Sequence, residues 1–246
     1  MLYRTAGGAT LLTTLASAGV GAAALHARGP AVAGTDGAET ARSVVAVAQR
    51  QGVTATVWDG DTALDLPGVY RQAAETAAQL LVVEWHPTVG GGDATRFSGG
   101  DPLARSVLAD PPCDVLLVRA GELDSIDEVV VAVGHGPNVP LLAGLARHWA
   151  EAFGVSATVL HRVETDDDVP AARALCRRVA PGLTSRIVVG RDLANLLTEV
   201  ATRTGFIAIG ATEDLPMDRV ASRAGAALTR RGGATVVIGR TGPRRR

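Results

Sequence analysis

The chain of 246 residues contains no lysine, so all 24 of its basic residues are arginines. A phosphate-binding P-loop needs a lysine on the terminal phosphates and a Schiff-base enzyme needs a lysine amine, so both classes are excluded. The 25 acidic residues leave a net charge of only −1. Because no strong field of either sign surrounds the molecule, we expect that nucleic acid is not a partner.

Aromatic residues and cysteines are also scarce. Aromatics make up 3% of the chain although 47% of it is hydrophobic. The core must therefore consist mainly of valine, leucine, isoleucine and alanine, which is typical of parallel sheets covered by helices. The two cysteines, Cys113 and Cys176, form neither a CxxC pair nor a disulfide framework, and this fits a reducing cytosol.

Long apolar runs are missing as well. No uninterrupted run approaches the ~20 residues that a membrane span requires, so we expect no membrane insertion. The stretch 4–25 resembles a secretory signal in part, because Arg4 precedes apolar residues, but glycines and threonines interrupt them. We therefore predict a cytoplasmic protein.

The second half of the chain alternates short apolar runs with helical patterns. Runs rich in valine and isoleucine and bounded by glycine or proline predict buried strands, and longer stretches with apolar residues at helical spacing predict amphipathic helices. The predicted strands are 128–133, 157–161, 186–189, 206–209 and 235–238, and the predicted helices are 139–153, 169–179, 193–204 and 217–230. Because no hairpin signal separates them, the crossovers predict a parallel sheet.

The first half repeats this order less regularly. Its predicted strands are 2–5, 21–25, 53–58, 80–84 and 114–118, and its predicted helices are 9–18, 38–51, 68–78 and 102–109. Two pairs of similar short segments support an internal duplication. Ala-Leu-His at 24–26 resembles Val-Leu-His at 159–161, and Asp-Val-Leu-Leu-Val-Arg at 114–119 resembles Thr-Val-Val-Ile-Gly-Arg at 235–240.

The distance in sequence from the preceding glycine to the Leu-His pair differs between the two halves. Gly8 and Leu25 are 17 positions apart. The matching interval from Gly136 to Leu160 is 24 positions. This difference predicts that the first helix of the first half is about two turns shorter.

The length fits two domains of about 120 residues each. We therefore predict an α/β fold made of two tandem doubly wound, Rossmann-like domains, residues 1–122 and 123–246. Each is expected to contain a five-stranded parallel sheet.

The order of elements and several motifs resemble the universal stress protein family. Gly-His-Gly-Pro at 134–137 follows a strand and precedes an amphipathic helix, and the next strand ends Thr-Val-Leu-His at 158–161. The closing segments Phe-Ile-Ala-Ile-Gly-Ala-Thr at 206–212 and Ala-Ser-Arg-Ala-Gly at 221–225 are also similar to that family. The resemblance implies a regulatory or stress-response protein rather than an enzyme.

The last strand commonly mediates dimer contact in that family. The resemblance therefore implies that residues 114–118 and 235–238 form an interface, either within one chain as a pseudo-dimer or between two chains as a homodimer. It also implies that a protein partner takes part in regulation.

Family members that bind ATP carry an aspartate at the end of the first strand and the motif G-x2-G-x9-G-S/T after the fourth. Here Gly134 stands at the aspartate position, Glu213 and Asp214 lie inside the second phosphate loop, and Asp101 replaces the hydroxyl of the first. Carboxylates repel phosphate unless a metal lies between them. The resemblance thus implies at most weak binding of an adenine nucleotide, ATP or AMP, in the second domain. The candidate residues are Val133, Gly134, His135, Gly190, Gly210, Ala211, Thr212 and Ser222.

Two other functions stay open. One is a nucleotide-free, protein-binding module related to the universal stress domains that are attached to membrane transporters. The other is a nucleotide hydrolase, for which only Glu213 or Asp214 could supply the base and the metal ligand.

The remaining polar residues favour structural roles. No G-x-S-x-G elbow occurs, and the histidines and cysteines never fall at metal-ligand spacing. His26 and His161 are predicted to stand at equivalent strand ends and to form structural hydrogen bonds. The acidic run 165–168 predicts a cap at the start of a helix.

Overall fold

The computed structural model describes residues 1–3, 6–20, 24–30, 35–60, 65–85, 102–121, 126–134, 136–211 and 234–243. Within these ranges the helices are α1 (Ala6–Val20), α2 (Thr35–Arg50), α3 (Leu66–Glu75), α4 (Pro102–Ala109), α5 (Val139–Phe153), α6 (Val169–Val179) and α7 (Leu193–Thr204). The strands are β1 (Ala24–Pro30), β2 (Thr54–Gly60), β3 (Leu80–Glu84), β4 (Asp114–Arg119), β5 (Glu128–Val133), β6 (Ser156–Val163), β7 (Thr184–Val189), β8 (Phe206–Gly210) and β9 (Thr235–Arg240). A 3-10 turn (Asp166–Asp168) precedes α6. The chain is a mixed α/β protein.

Seven strands form one sheet in the order β3-β4-β9-β8-β5-β6-β7, and β1 pairs with β2 in a two-stranded sheet. The strand pairs are parallel except for β4 with β9, which is antiparallel. Leu2 connects the two sheets, because it forms parallel bridges to Arg28 in β1 and to Val83 in β3. Residues 1–3 therefore lie between β1 and β3, in the place of a short strand.

The strand order is the same on both sides of the β4–β9 pair. Outward from β4 come β3, the segment 1–3, β1 and β2, and outward from β9 come β8, β5, β6 and β7. The registers agree as well, because Leu80 and Phe206, the first residues of β3 and β8, pair with the first residues of β4 and β9. Position by position, Glu84 at the end of β3 therefore corresponds to Gly210 at the end of β8.

The prediction of a shortened first helix is wrong, because α1 and α5 both contain 15 residues. The sequence match between residues 24–26 and 159–161, on which that prediction was based, is out of register. His26 is the third residue of β1, whereas His161 is the sixth residue of β6. For the same reason the two histidines do not stand at equivalent strand ends. The shorter interval comes from the alignment itself, because Gly8 lies inside α1 whereas Gly136 precedes α5, and Leu25 is the second residue of β1 whereas Leu160 is the fifth residue of β6.

Most other predicted elements agree with the structure. Predicted helices 102–109, 139–153, 169–179 and 193–204 and predicted strands 80–84 and 128–133 agree at both ends. β1 begins at Ala24, inside the predicted strand 21–25, and Leu2 of the predicted strand 2–5 forms bridges; residues 4–5 and 21–23 lie outside the described residues. The predicted helix 217–230 lies outside the described residues.

The helices of the second half begin and end at residues suited to those places. Gly154 follows α5 with φ of 70°, and Gly205 follows α7 with φ of 69°. This left-handed conformation is strained for a residue with a β-carbon, so glycine ends these helices without that cost. At the start of α7 the side chain of Asp192 accepts a hydrogen bond from the Asn195 amide at 2.9 Å.

Helix α1 shares a core with α5 from the second half. Trp149 in α5 is fully buried, and its Nε1 donates a hydrogen bond to the carbonyl oxygen of Leu15 in α1 at 3.0 Å. The ring of Phe206 lies 5.5 Å from that of Trp149, centroid to centroid. On the other face of the sheet, α7 covers β5 and β8. None of the helices in the described part of the chain is long and apolar enough to cross a membrane.

Candidate functional site

A cavity of about 540 Å³ opens at the carboxyl ends of β5 and β6. In an open α/β sheet, ligands bind at this edge, and the volume lies within the ~300–1,000 Å³ that is usual for small-molecule sites. Most of the wall is aliphatic, as such sites commonly are. The lining residues are Ala132, Val133, Gly134, Leu160, His161, Arg162, Val163, Glu164, Asp168, Ala171, Ala172, Leu175, Leu193, Leu196 and Leu197.

Two local motifs bring the starts of α6 and α7 to this cavity. Gly190 follows β7 with φ of 66°, and its amide donates a hydrogen bond to the carbonyl oxygen of Val163 at 3.0 Å. Before α6, Asp168 Oδ2 accepts hydrogen bonds from Oγ1 and the amide of Thr165 at 2.9 and 3.3 Å. The run 165–168 thus forms a capping box on the 3-10 turn that leads into α6, whereas the Asp168 side chain makes no capping hydrogen bond to α6 itself.

His161 lines the cavity and is only 6% exposed. Its Nδ1 lies 2.7 Å from the carbonyl oxygen of Val133. Because a carbonyl oxygen only accepts, Nδ1 carries the proton and is the donor. The structural hydrogen bond predicted for His161 is confirmed, and it joins the end of β6 to the end of β5.

One positive and two negative side chains, Arg162, Glu164 and Asp168, bring charge to the cavity lining. Nη1 and Nη2 of Arg162 donate to the two carboxylate oxygens of Glu164 at 2.5 and 2.8 Å, and Nε donates to the carbonyl oxygen of Arg191. The hydrogen bond from Arg162 lowers the pKa of the Glu164 carboxyl. The Arg162 guanidinium thus already forms hydrogen bonds with protein groups. Because Asp168 adds a second carboxylate, the net charge of the lining is negative, which disfavours a polyphosphate.

The predicted site residues divide into three groups. Val133 and Gly134 line the cavity, and Gly190 lies at the turn beside it, where an added β-carbon would be 3.8 Å from the Glu164 carbonyl oxygen. Gly210 and Ala211 are at the end of β8 and are not part of the lining. His135, Thr212 and Ser222 lie outside the described residues, as do Glu213 and Asp214.

Gly210 faces a residue of the protein itself. A β-carbon at Gly210 would lie 3.3 Å from Cβ of Asn138, which is 3% exposed. Asn138 Oδ1 accepts hydrogen bonds from the amide and Oγ1 of Thr241 at 2.7 and 2.9 Å. Asn138 therefore fixes the loop before α5 to the chain after β9, a role that the sequence did not indicate because its partner is 103 residues away.

The corresponding place in the first half is filled by Glu84. This residue is fully buried, and a β-carbon at Gly8 in α1 would lie 2.2 Å from its Oε1 and 2.6 Å from its Oε2. The carboxylate thus packs directly on the first turns of α1, where helix dipole and amide groups favour negative charge. Glu84 was missed in the sequence because it was taken as the end of a strand. Its signal is a single acid closing an otherwise apolar run.

No candidate metal centre occurs among the described residues. In the ranges that the structure describes, no group of three or more histidine, cysteine, aspartate or glutamate side chains could hold a metal ion. Both cysteines are buried thiols, and burial raises the pKa of Cys176.

Solved structures of other proteins share this fold. A universal stress protein from Archaeoglobus fulgidus DSM 4304 matches with a TM-score of 0.60 and 15% identity, over 97% of this chain and 97% of that chain. The cytoplasmic domain of a prokaryotic cation chloride cotransporter matches with a TM-score of 0.66 and 9% identity, over 97% of this chain and 93% of that chain. No family model and no curated protein matches the sequence. The chain therefore has the α/β fold seen in universal stress proteins, a fold that does not by itself define the activity.

Proposed function

We propose that this chain is a non-catalytic, cytoplasmic regulatory protein of the universal stress type, built from two units, residues 1–122 and 123–246. The equal strand order on the two sides of β4 and β9 supports this division. The antiparallel register from Val115 opposite Arg240 to Arg119 opposite Val236 supports these strands as the seam of an intramolecular pseudo-dimer.

The second unit binds an adenine nucleotide weakly, and mainly through its nucleoside part. The observation that carries this proposal is the cavity of about 540 Å³ at the carboxyl ends of β5 and β6, lined by Val133 and Gly134. An aliphatic wall suits a flat heterocycle, and the few polar groups at the rim suit a ribose.

The charges at the rim favour AMP or adenosine over ATP. The only guanidinium of the lining, that of Arg162, is already engaged by Glu164, and Asp168 adds a further negative charge. A second and third phosphate would therefore gain no cationic partner from these lining residues and would approach carboxylates. We expect ATP to bind no more tightly than AMP.

We expect the first unit to disfavour an anionic ligand at the end of β3, because Glu84 packs on α1 there. Where the second unit has Gly210, the first unit places a buried carboxylate. An anionic ligand at that position would meet like charge. We therefore expect one nucleotide per chain at most.

Gly134 allows a sharp test of the cavity. A β-carbon there would meet no other atom within 4 Å, so Gly134→Leu should fill the mouth of the cavity without disturbing the core. Gly144 on α5 is also exposed with no atom near its β-carbon position, which makes Gly144→Leu the matched control. Isothermal titration with adenosine, AMP and ATP should show at least a tenfold loss of affinity for Gly134→Leu and none for the control.

Three results would contradict the nucleotide proposal. They are no binding of any of the three compounds, equal affinity in Gly134→Leu and the parent, or a stoichiometry of two per chain. If none of the compounds binds, the protein-binding alternative gains support, because the chain shares its fold with a transporter's cytoplasmic domain. The hydrolase alternative has no metal cluster among the described residues to support it.

A further inference from the structure

Strand β6 extends farther than its neighbour β5 at the carboxyl edge of the sheet. Val133, the last residue of β5, lies opposite His161, whereas β6 continues to Val163 alongside β7. The end of β6 therefore stands above the end of β5 like a step. A β-carbon at Gly134, the residue after β5, would have open space around it. The cavity of about 540 Å³ lies at this step, because residues of both strand ends line it.

A paired arginine and glutamate stand at the top of the step. Arg162 is two positions after Leu160, which belongs to the core under α7, and side chains two positions apart share one face of a strand. Arg162 therefore faces the start of α7, where its Nε donates to the carbonyl oxygen of Arg191. Its Nη1 and Nη2 donate to the two carboxylate oxygens of Glu164 at 2.5 and 2.8 Å. Three nitrogen atoms of one guanidinium thus fix the position of Glu164 relative to the cavity.

This pairing orients Glu164 without using all of its hydrogen-bonding capacity. An ionised carboxylate has about four lone-pair sites, and Arg162 uses two of them. The Glu164 side chain is 71% exposed, so a ligand in the cavity can reach its remaining lone pairs. The hydrogen bond from Arg162 also lowers the pKa of the Glu164 carboxyl. The group therefore stays ionised near neutral pH, where it only accepts hydrogen bonds.

The other carboxylate of the lining, that of Asp168, already has a local role. Its Oδ2 accepts hydrogen bonds from the amide and Oγ1 of Thr165 in the capping box before α6. Of the two carboxylates that line the cavity, Glu164 is thus the one whose protein contacts leave an acceptor on each oxygen. A ligand that suits it must bring two neighbouring hydrogen-bond donors.

We propose that Glu164 accepts hydrogen bonds from the 2′- and 3′-hydroxyls of a ribose, so that the cavity selects ribonucleosides over deoxyribonucleosides. This inference rests on the proposed binding of a nucleoside and adds the residue that recognises its sugar. Two neighbouring hydroxyls match the two oxygens of one carboxylate, and hydrogen bonds to a charged acceptor are stronger than those to a neutral one. Arg162 is the positioning residue, because it fixes the orientation of Glu164.

Calorimetric titration of the full chain with three nucleosides tests this assignment. The ligands are adenosine, 2′-deoxyadenosine and 3′-deoxyadenosine, which differ only in the sugar hydroxyls. Adenosine should bind about tenfold more tightly than either analogue, because each analogue lacks one hydrogen bond to a charged acceptor. This comparison needs no variant, so it does not depend on how a substitution affects folding.

Two glutamate substitutions assign the selectivity to one side chain. In Glu164→Gln the preference for adenosine should fall to about threefold or less, because an amide oxygen is a weaker acceptor and the amide nitrogen only donates. Glu199→Gln is the matched control. Glu199 also pairs with an arginine, since Arg191 Nη2 lies 2.8 Å from its Oε2, and its side chain is 51% exposed, but it is not part of the lining. This variant should keep the tenfold preference.

The outcomes separate this inference from the proposal on which it rests. If adenosine binds but the two analogues bind equally well, the nucleoside site stands and the role of Glu164 in ribose recognition is wrong. If Glu164→Gln weakens all three ligands by the same factor, Glu164 has only a structural role and the inference is again refuted. If none of the three nucleosides binds to the parent protein, the nucleoside proposal and this inference both fail.

Discussion

The contact between Gly8 and Glu84 predicts that Gly8→Ala destabilises the parent protein but stabilises a variant that lacks the Glu84 side chain. A β-carbon at Gly8 would lie 2.2 to 2.6 Å from the carboxylate atoms of Glu84, whereas non-bonded heavy atoms pack at about 3.5 Å. Gly8→Ala must therefore displace the carboxylate by roughly 1 Å. Because Glu84 is fully buried, this group cannot swing into water without opening the core. We expect the free energy of unfolding to fall by about 1–3 kcal/mol, the range for overpacked cores.

The same substitution should be stabilising once the carboxylate is gone. Alanine is a better helix former than glycine by about 0.8–1 kcal/mol, and in a Glu84→Gly background the new methyl group no longer meets the side chain. Urea denaturation of the parent, the two single variants and the double variant measures the coupling directly. If Gly8→Ala is neutral or stabilising in the parent protein, the placement of Glu84 against α1 is refuted.

Two further substitutions test the contacts between the halves. Gly242→Ala should lower the free energy of unfolding by about 2 kcal/mol or more, because its β-carbon would lie 2.3 Å from the backbone carbonyl carbon of Cys113 and the backbone cannot move aside easily. Gly144→Ala is the control: its β-carbon would meet open space, so it should raise the free energy of unfolding in the same assay. Trp149→Phe should lower the free energy of unfolding by about 2 kcal/mol, since it removes the hydrogen bond to Leu15 and leaves a cavity. If thermal and urea denaturation show no change in stability, the shared core of α1 and α5 is contradicted.

Local sequence signals were sufficient for α5 and α7. Pro140 near the start of α5, Gly154 at its end, Asp192 before α7 and Gly205 after it each act within one or two turns of the helix they bound. Such signals depend on backbone conformation and nearby amides, so they can be read without knowing the fold. These boundaries were accordingly predicted to the residue.

The first half could not be read in the same way. Its starting strand is reduced to the segment 1–3, which has too few residues for a pattern and is recognised only by the bridges of Leu2 to two strands distant in sequence. The tripeptide 24–26 then gave a misleading alignment, because three residues cannot fix the register of a strand. The error in the first helix followed from that register and from matching Gly8, which lies inside α1, to Gly136, which precedes α5.

The candidate site was predicted where it depends on strand ends and missed where it depends on distant partners. Val133 and Gly134 end an apolar strand, and the carboxyl edge of a parallel sheet is the expected ligand edge. Asn138 acts through Thr241, and Glu84 acts through a glycine in a helix near the start of the chain. Neither pair is close in sequence, so only the folded chain brings them together.

The two sides of the β4–β9 pair have the same strand order but differ at the ends of β3 and β8. β3 ends in Glu84, whose buried carboxylate packs on α1, whereas β8 ends in Gly210 beside Asn138. The cavity at the carboxyl ends lies farther out, at β5 and β6. Because corresponding positions keep the same register but carry different side chains, the two sides present different chemistry at the same edge without any change of fold.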